Sequence, residues 1–307
     1  MLISFWSPVR DEYVSAIASL TAISGCTDFL CKVVLCENHV GAGNYGHCLF
    51  GDAYQRLRKE YDKYQSGYYE RGDSFLKFLA KQTGKSLSHG RTLEIVKDYL
   101  FFLPLNQSLR NDIYEYGFDQ ELHEILEFAE RHFDFLFMNT ADSGNLSTKT
   151  ILNLSETVVV CLPASEWIVD YFMEHYSGLI EKSVLLIHGE PDSGFYKRIR
   201  RKYALFRDRM MYLPITEELK EYVREGRITD YWFQNEAMPR AKGKDTLQKL
   251  KYLSFQLLRR ERKNGMLRYE EMRERFLSRR IDPFTHKYIL PTARTIVAER
   301  ENTEYDL

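Results

Sequence analysis

The chain has 307 residues, of which 44% are hydrophobic, 28% charged and 14% aromatic. That composition excludes a disordered chain and allows one large domain or two small ones. Its 43 Lys and Arg against 44 Asp and Glu leave a net charge of −1, which excludes a global field for nucleic acid or membrane but not a local patch.

No apolar run reaches the roughly 18 residues of a membrane span. The opening Met1-Leu-Ile-Ser-Phe-Trp6 lacks a basic start and a small-residue cleavage site, so it reads as a first strand and not as a signal peptide. Cys26, Cys31, Cys36, Cys48 and Cys161 are an odd number in a large chain. They suggest no disulfide framework, and the expected location is a reducing cytoplasm.

In chain order, Leu2–Trp6 reads as a short buried strand and Asp11–Ser24 as a helix with apolar residues at helical spacing. Lys32–Cys36 is a second strand, followed by a loop with three glycines between Gly41 and Gly46. Residues 51–82 have helical texture. Tyr99–Leu103 is a strand ended by Pro104, and Asp119–His132 an amphipathic helix. Phe133–Thr140 reads as a central strand and Thr157–Leu162 as another, stopped by Pro163. Ser165 caps a helix running to Tyr176. Ser183–His188 and Arg209–Leu213 are strands, and Thr216–Arg224 is a helix.

Short apolar strands alternating with helices imply βαβ units and a mostly parallel sheet with helices on both faces. After about residue 244 the texture becomes charged and helical. Between Leu257 and Arg280 stand nine Arg or Lys against four Glu. The expected organisation is an α/β domain over residues 1–255 and a charged helical extension over 256–307.

Three segments carry a resemblance. Ile3–Leu20 has the layout strand, turn, helix. Phe133-Asp-Phe-Leu-Phe-Met-Asn-Thr-Ala-Asp-Ser-Gly144 looks like a switch strand that normally ends Asp-Thr-x-x-Gly. Met211–Thr216 and the helix after it form a late strand–Pro–helix segment. In this order they resemble the MinD/ParA family of P-loop ATPases, including the CpaE/TadZ-like branch of bacterial pilus systems. The resemblance spans roughly residues 1–255 and implies a three-layer P-loop fold of the SIMIBI type.

The departures from that pattern bear on function. The family's loop is glycine-rich so that backbone N–H groups close around phosphates at a helix N-terminus. Aligned without a gap, Pro8 falls at the signature lysine, and Val9, Arg10 and Glu12 at glycines. Tyr13 falls at the phosphate-binding lysine and Val14 at the magnesium-binding hydroxyl. Asp11 and Glu12 bring negative charge to a phosphate site. Glu37 stands near the family's second-strand Asp, His39 near a further one, and Asn139 at the Walker B-like Asp. The degenerate site that the resemblance assigns comprises Arg10, Asp11, Glu12, Tyr13, Val14, Ser15, Glu37, Asn139, Thr140 and Gly144.

Other chemistries find less support. Cys31, Cys36, His39, His47 and Cys48 lie close together, but not at standard zinc spacing, and read as buried small residues and a polar loop. No Gly-x-Ser-x-Gly is present. Glu37, Glu190 and Asp192 follow strands, at the edge where α/β folds place ligands, and carboxylates there are also common helix caps. Trp6 and Trp167 read as core.

The expectation is a non-hydrolysing scaffold or positioning partner of a bacterial machine such as a pilus, with no catalytic residue, no metal and no cofactor. One alternative is an ATP-binding dimerisation switch using Thr140 and Gly144. Another is a DNA-associated partition protein. The expected partner is another protein or a second copy, ahead of membrane or nucleic acid through residues 257–280.

Overall fold

Five residues, Leu2–Trp6, make the first strand, β1, and every one is buried. Their side chains alternate between the two faces of the sheet. Ile3 and Phe5 enter one core, and Leu2 and Trp6 enter two others on the opposite side. The same alternation places Val33 and Leu35 on the first side and Val34 and Cys36 on the second.

The computed structural model describes residues 1–39, 44–52, 54, 56, 85–88, 92–104, 111–142, 146–190, 193–237 and 243–260. The strands are β1, β2 (Val33–Glu37), β3 (Leu87–Ser88), β4 (Thr92–Val96), β5 (Leu100–Phe102), β6 (Phe135–Thr140), β7 (Thr157–Pro163), β8 (Ser183–Gly189) and β9 (Met210–Pro214). They form one sheet in the order β3-β4-β5-β2-β6-β1-β7-β8-β9. All pairings from β5 through β9 are parallel, and β3 and β4 add an antiparallel edge. The mostly parallel three-layer expectation holds. The antiparallel pair β3–β4 is additional to it.

The first helix, α1 (Val14–Phe29), begins three residues later than Asp11 and runs past Ser24. It is buried on nearly every side, which suits a helix enclosed between two layers. The sheet lies under it. On the other side lie α8 (Ile228–Ala237) and α9 (Lys244–Arg260). Lys251 of α9 is buried at 1% exposure, with its ammonium 2.7 Å from Glu236 of α8 and 3.3 Å from Asp28 of α1. This triad ties three helices together, with both carboxylates also buried.

Also in this layer are α2 (Tyr45–Phe50), capped by the Asn44 side chain on His47 N–H, and α7 (Glu217–Glu225), capped by Thr216 on Leu219 N–H. Gly226 closes α7 at φ 67°, and a Cβ there would stand 1.9 Å from the backbone nitrogen of Gly51. Only glycine serves at such a crossing.

The opposite layer holds α3 (Asn111–His132), α4 (Leu146–Leu154), α5 (Glu166–His175) and α6 (Ser193–Lys202). Phe118, Leu122, Ile125 and Ala129 of α3 reach the core at helical spacing. Trp6 is core, and its indole donates to Ala141 C=O. Trp167 is not: it lies 66% exposed on α5, stacked on Tyr171. Its neighbours on the helix read as apolar, but the buried face is that of Val169 and Phe172.

Most of residues 51–82, together with 40–43 and 261–307, lie outside the described residues. So does the basic stretch beyond Arg260.

Candidate functional site

The parallel strands all end along one edge of the sheet. The chain leaves β1 for β2 on one side, returns as β6 between them, and crosses to β7 on the other side. Ligands of open α/β sheets lie in the crevice outside such a crossing. The loop between β1 and α1 occupies it, and the ends of β2, β6, β7, β8 and β9 surround it.

Within that loop Asp11 makes two hydrogen bonds. Its Oδ1 accepts from the Tyr13 N–H at 2.9 Å. Its Oδ2 lies 2.6 Å from Nε2 of His188, at the end of β8. Both side chains are buried, and the Tyr13 ring meets the His188 ring edge-on. Burial and the charge of Glu12 push the Tyr13 phenol up to about 12. Val14 opens α1 with a buried apolar side chain, whereas Glu12 and Arg10 are exposed.

A second group forms at the ends of β2 and β6, where Glu37 and Asn139 are register partners. Asn139 donates to Ser15 Oγ in the first turn of α1 and also meets the His39 side chain. Burial pushes the His39 imidazole down, against the opposing pull of Asn139 and Asp142. Glu37 Oε2 accepts from Tyr45 N–H at 2.7 Å. Asn38 accepts from Ala141 N–H and donates to Ser147 and Thr148. Thr140 Oγ1 is 3.4 Å from Met138 C=O in its own strand.

Ser15, Glu37, His39 and Asn139 therefore converge, while Arg10, Asp11, Glu12 and Tyr13 face a neighbouring cleft. Gly144 lies outside the described residues.

Solved structures that share this architecture include ParA and MinD proteins. The ParA family ATPase from Chlorobium tepidum TLS superposes with a TM-score of 0.55 at 11% identity, over 82% of this chain and 98% of that one. MinD from Pyrococcus horikoshii OT3, complexed with Mg-ADP, gives 0.53 at 11% identity, over 87% and 98%. MinD in the Aquifex aeolicus MinC:MinD complex gives 0.50 at 10%, over 84% and 95%. The chain has the ParA/MinD fold. At these identities it is the fold that is shared. No protein-family model matches the sequence, and no curated protein matches it significantly.

In this ParA/MinD fold the cleft beside Asp11 has a volume of about 1630 Å³ and lies outside the ends of β7, β8 and β9. Its lining holds six carboxylates (Asp11, Glu12, Glu190, Glu217, Glu218 and Glu221) against the permanent cations Arg10, Lys220 and Arg224. Lys220 bridges Glu217 at 2.7 Å and Glu190 at 3.3 Å, which raises its affinity for its proton.

The sequence reading passed over His188, Thr216 and Lys220. The signal for His188 was a histidine closing an otherwise apolar strand, next to Gly189. The five cysteines are buried free thiols, and burial pushes Cys36 and Cys48 well up. Among the described residues no three His, Cys, Asp or Glu are placed to hold a metal. No described helix is long and apolar enough to cross a membrane.

Proposed function

We propose that the chain keeps the ParA/MinD shape without its nucleotide chemistry, and acts as a non-hydrolysing scaffold or positioning partner of a bacterial machine such as a pilus. The observation that carries this reading is the Asp11 carboxylate, held between the Tyr13 N–H and His188.

An N–H at the start of the helix after β1 is what a phosphate needs in this fold. Here a side chain of the loop takes it. Residues 8–14 contain neither glycine nor lysine to wrap a phosphate. Asn139 is neutral and directs its amide to Ser15, so it offers magnesium no charge. The adjoining cleft is net acidic and repels a triphosphate. These residues do not fit a bound nucleotide in the fold's usual mode.

A role through protein contacts draws support from the Aquifex MinD, which is found in a complex with MinC. The order of segments, which resembles the pilus-associated branch, supplies the kind of machine. Calorimetric titration with ATP and magnesium tests the reading. No saturable heat is expected, and a saturable, ATP-specific heat overturns it.

A further inference from the structure

The helix α6 holds five Lys or Arg and no Asp or Glu. No other described helix combines more than one Lys or Arg with an absence of carboxylates. Phe195 and Ile199 turn into the core, and Lys197, Arg198, Arg200 and Arg201 are exposed. Lys202 is bridged to Glu166 and Asp170 of α5. Among the described residues the other four cations have no carboxylate partner. Arg198 and Arg200 lie 5.9 and 5.7 Å from the Phe195 and Tyr196 rings of their own helix. Lys197 and Arg201 stand four residues apart, and Lys197–Arg200 and Arg198–Arg201 three apart, spacings at which like charges destabilise a helix. A counter-charge laid on this face relieves that repulsion. The 3-10 turn that follows, Ala204–Arg209, continues the surface with Arg207 beside Asp208 and with Leu205, which is 93% exposed.

We propose that residues 299–307 of the same chain dock on this basic face. That segment, Glu-Arg-Glu-Asn-Thr-Glu-Tyr-Asp-Leu, lies outside the described residues and sets four carboxylates against one cation. Its charge complements that of α6, and Tyr305 and Leu307 alternate with the acids as apolar partners for Leu205. The connection is long enough. Between Arg260 and Glu299 lie 38 residues, which reach about 58 Å even at the 1.5 Å per residue of an α-helix. A domain of this size has a radius of gyration of about 18 Å, so the segment reaches α6 although α9 lies in the other layer. Tethering makes the contact intramolecular, which raises the effective concentration of the segment at the face. Residues 261–280 are a nearer basic stretch in the sequence, but their seven Lys or Arg share it with four Glu. The face of α6 offers cations alone. The contact uses no nucleotide, so its test is independent of ATP titration.

Carbodiimide crosslinking of the full chain provides the test, because the reagent joins a lysine amine to a carboxylate in contact with it. Mass spectrometry reads the products, and the Lys202–Asp170 pair, 2.7 Å apart, serves as internal standard. A link from Lys197 to Glu299, Glu301, Glu304 or Asp306 is expected within single chains, as a mixture of isotopically labelled and unlabelled protein distinguishes. Arg200→Glu with Arg201→Glu should lower that link at least roughly fivefold against the standard, with circular dichroism unchanged. Adding Glu301→Lys with Glu304→Lys to the same chain exchanges the charges, and the link should return through Glu299 or Asp306. A wild-type chain that forms the standard link but none from Lys197 to residues 299–307 overturns the proposal. Links from Lys197 to carboxylates elsewhere in their place, links formed only between chains, and links that ignore the reversal of Arg200 and Arg201 overturn it as well.

Discussion

His188 at the end of β8 reaches Asp11 in the loop before α1, Nε2 to Oδ2 at 2.6 Å, with both side chains at most 3% exposed. The bond spans 177 residues of chain. It fixes the loop from the far side while the Tyr13 N–H fixes it from within. Asp11 thereby ties this loop both to the end of β8 and to the start of α1.

Removing that carboxylate strands a buried ring and a partly buried N–H. Asp11→Ala leaves the His188 ring and the Tyr13 N–H without partners and is expected to cost about 2–4 kcal/mol. Asp11→Asn retains an acceptor for the N–H and should cost about half as much. Urea denaturation reads both. An alanine variant within about 0.5 kcal/mol of wild type shows that the pair does not hold the loop.

The buried triad should be more sensitive. Lys251→Met leaves the carboxylates of Asp28 and Glu236 buried without their cation. The expected loss is about 3–5 kcal/mol. Adding Asp28→Asn and Glu236→Gln to the same chain should recover part of it, because the uncompensated charges are then gone. A triple variant no more stable than the single one contradicts this cause.

Glycine geometry gives a paired comparison. Gly226→Ala places a methyl at φ 67° and 1.9 Å from Gly51 N, and backbone cannot move aside cheaply. A loss above about 2 kcal/mol is expected. Gly178 has nothing within 4 Å of an added Cβ, so Gly178→Ala should stay within about 1 kcal/mol of wild type. Equal melting temperatures for the two variants contradict the crossing of Gly51 and Gly226.

Alkaline titration reports on the loop. Tyr13 has a reference value of 10.0, and burial with the charge of Glu12 pushes it up to about 12 in the folded chain. The folded state therefore holds this proton more tightly than the unfolded one. The contribution is fully present below pH 10 and is lost as pH rises through 12. Wild type should lose stability across that window more steeply than Tyr13→Phe. Parallel curves contradict a half-buried phenol beside Glu12.

The central strands were legible because they are buried on both faces and read as continuous apolar runs, as in Thr157–Pro163 and Ser183–Gly189. Their ends moved by a residue or two. The start of α1 was misplaced because Tyr13 stands at its N-cap without a side-chain cap, so no Ser, Thr or Asn marked the boundary. The helix α6 was missed because its ten residues hold five Lys or Arg, and only Phe195 and Ile199 enter the core. The hairpin β3–β4 was missed because Leu87–Ser88 is too short to form a pattern. Within the site, Glu37 and Asn139 were legible as strand ends. Their meeting with Ser15 and His39 depends on strand order, and the Asp11–His188 pair on a fold-wide crossing that no local spacing encodes.

The most direct measurement on the central claim is a thermal-shift titration with ATP and ADP, with and without magnesium. A ligand that binds only the folded chain stabilises it by about 2.7 kcal/mol at a hundred times its Kd, a readily visible shift. The expected result is an unchanged Tm up to millimolar nucleotide, because the Asp11 carboxylate already accepts from the Tyr13 N–H before α1. An ATP-specific rise in Tm contradicts the scaffold reading and makes the chain a nucleotide-operated switch.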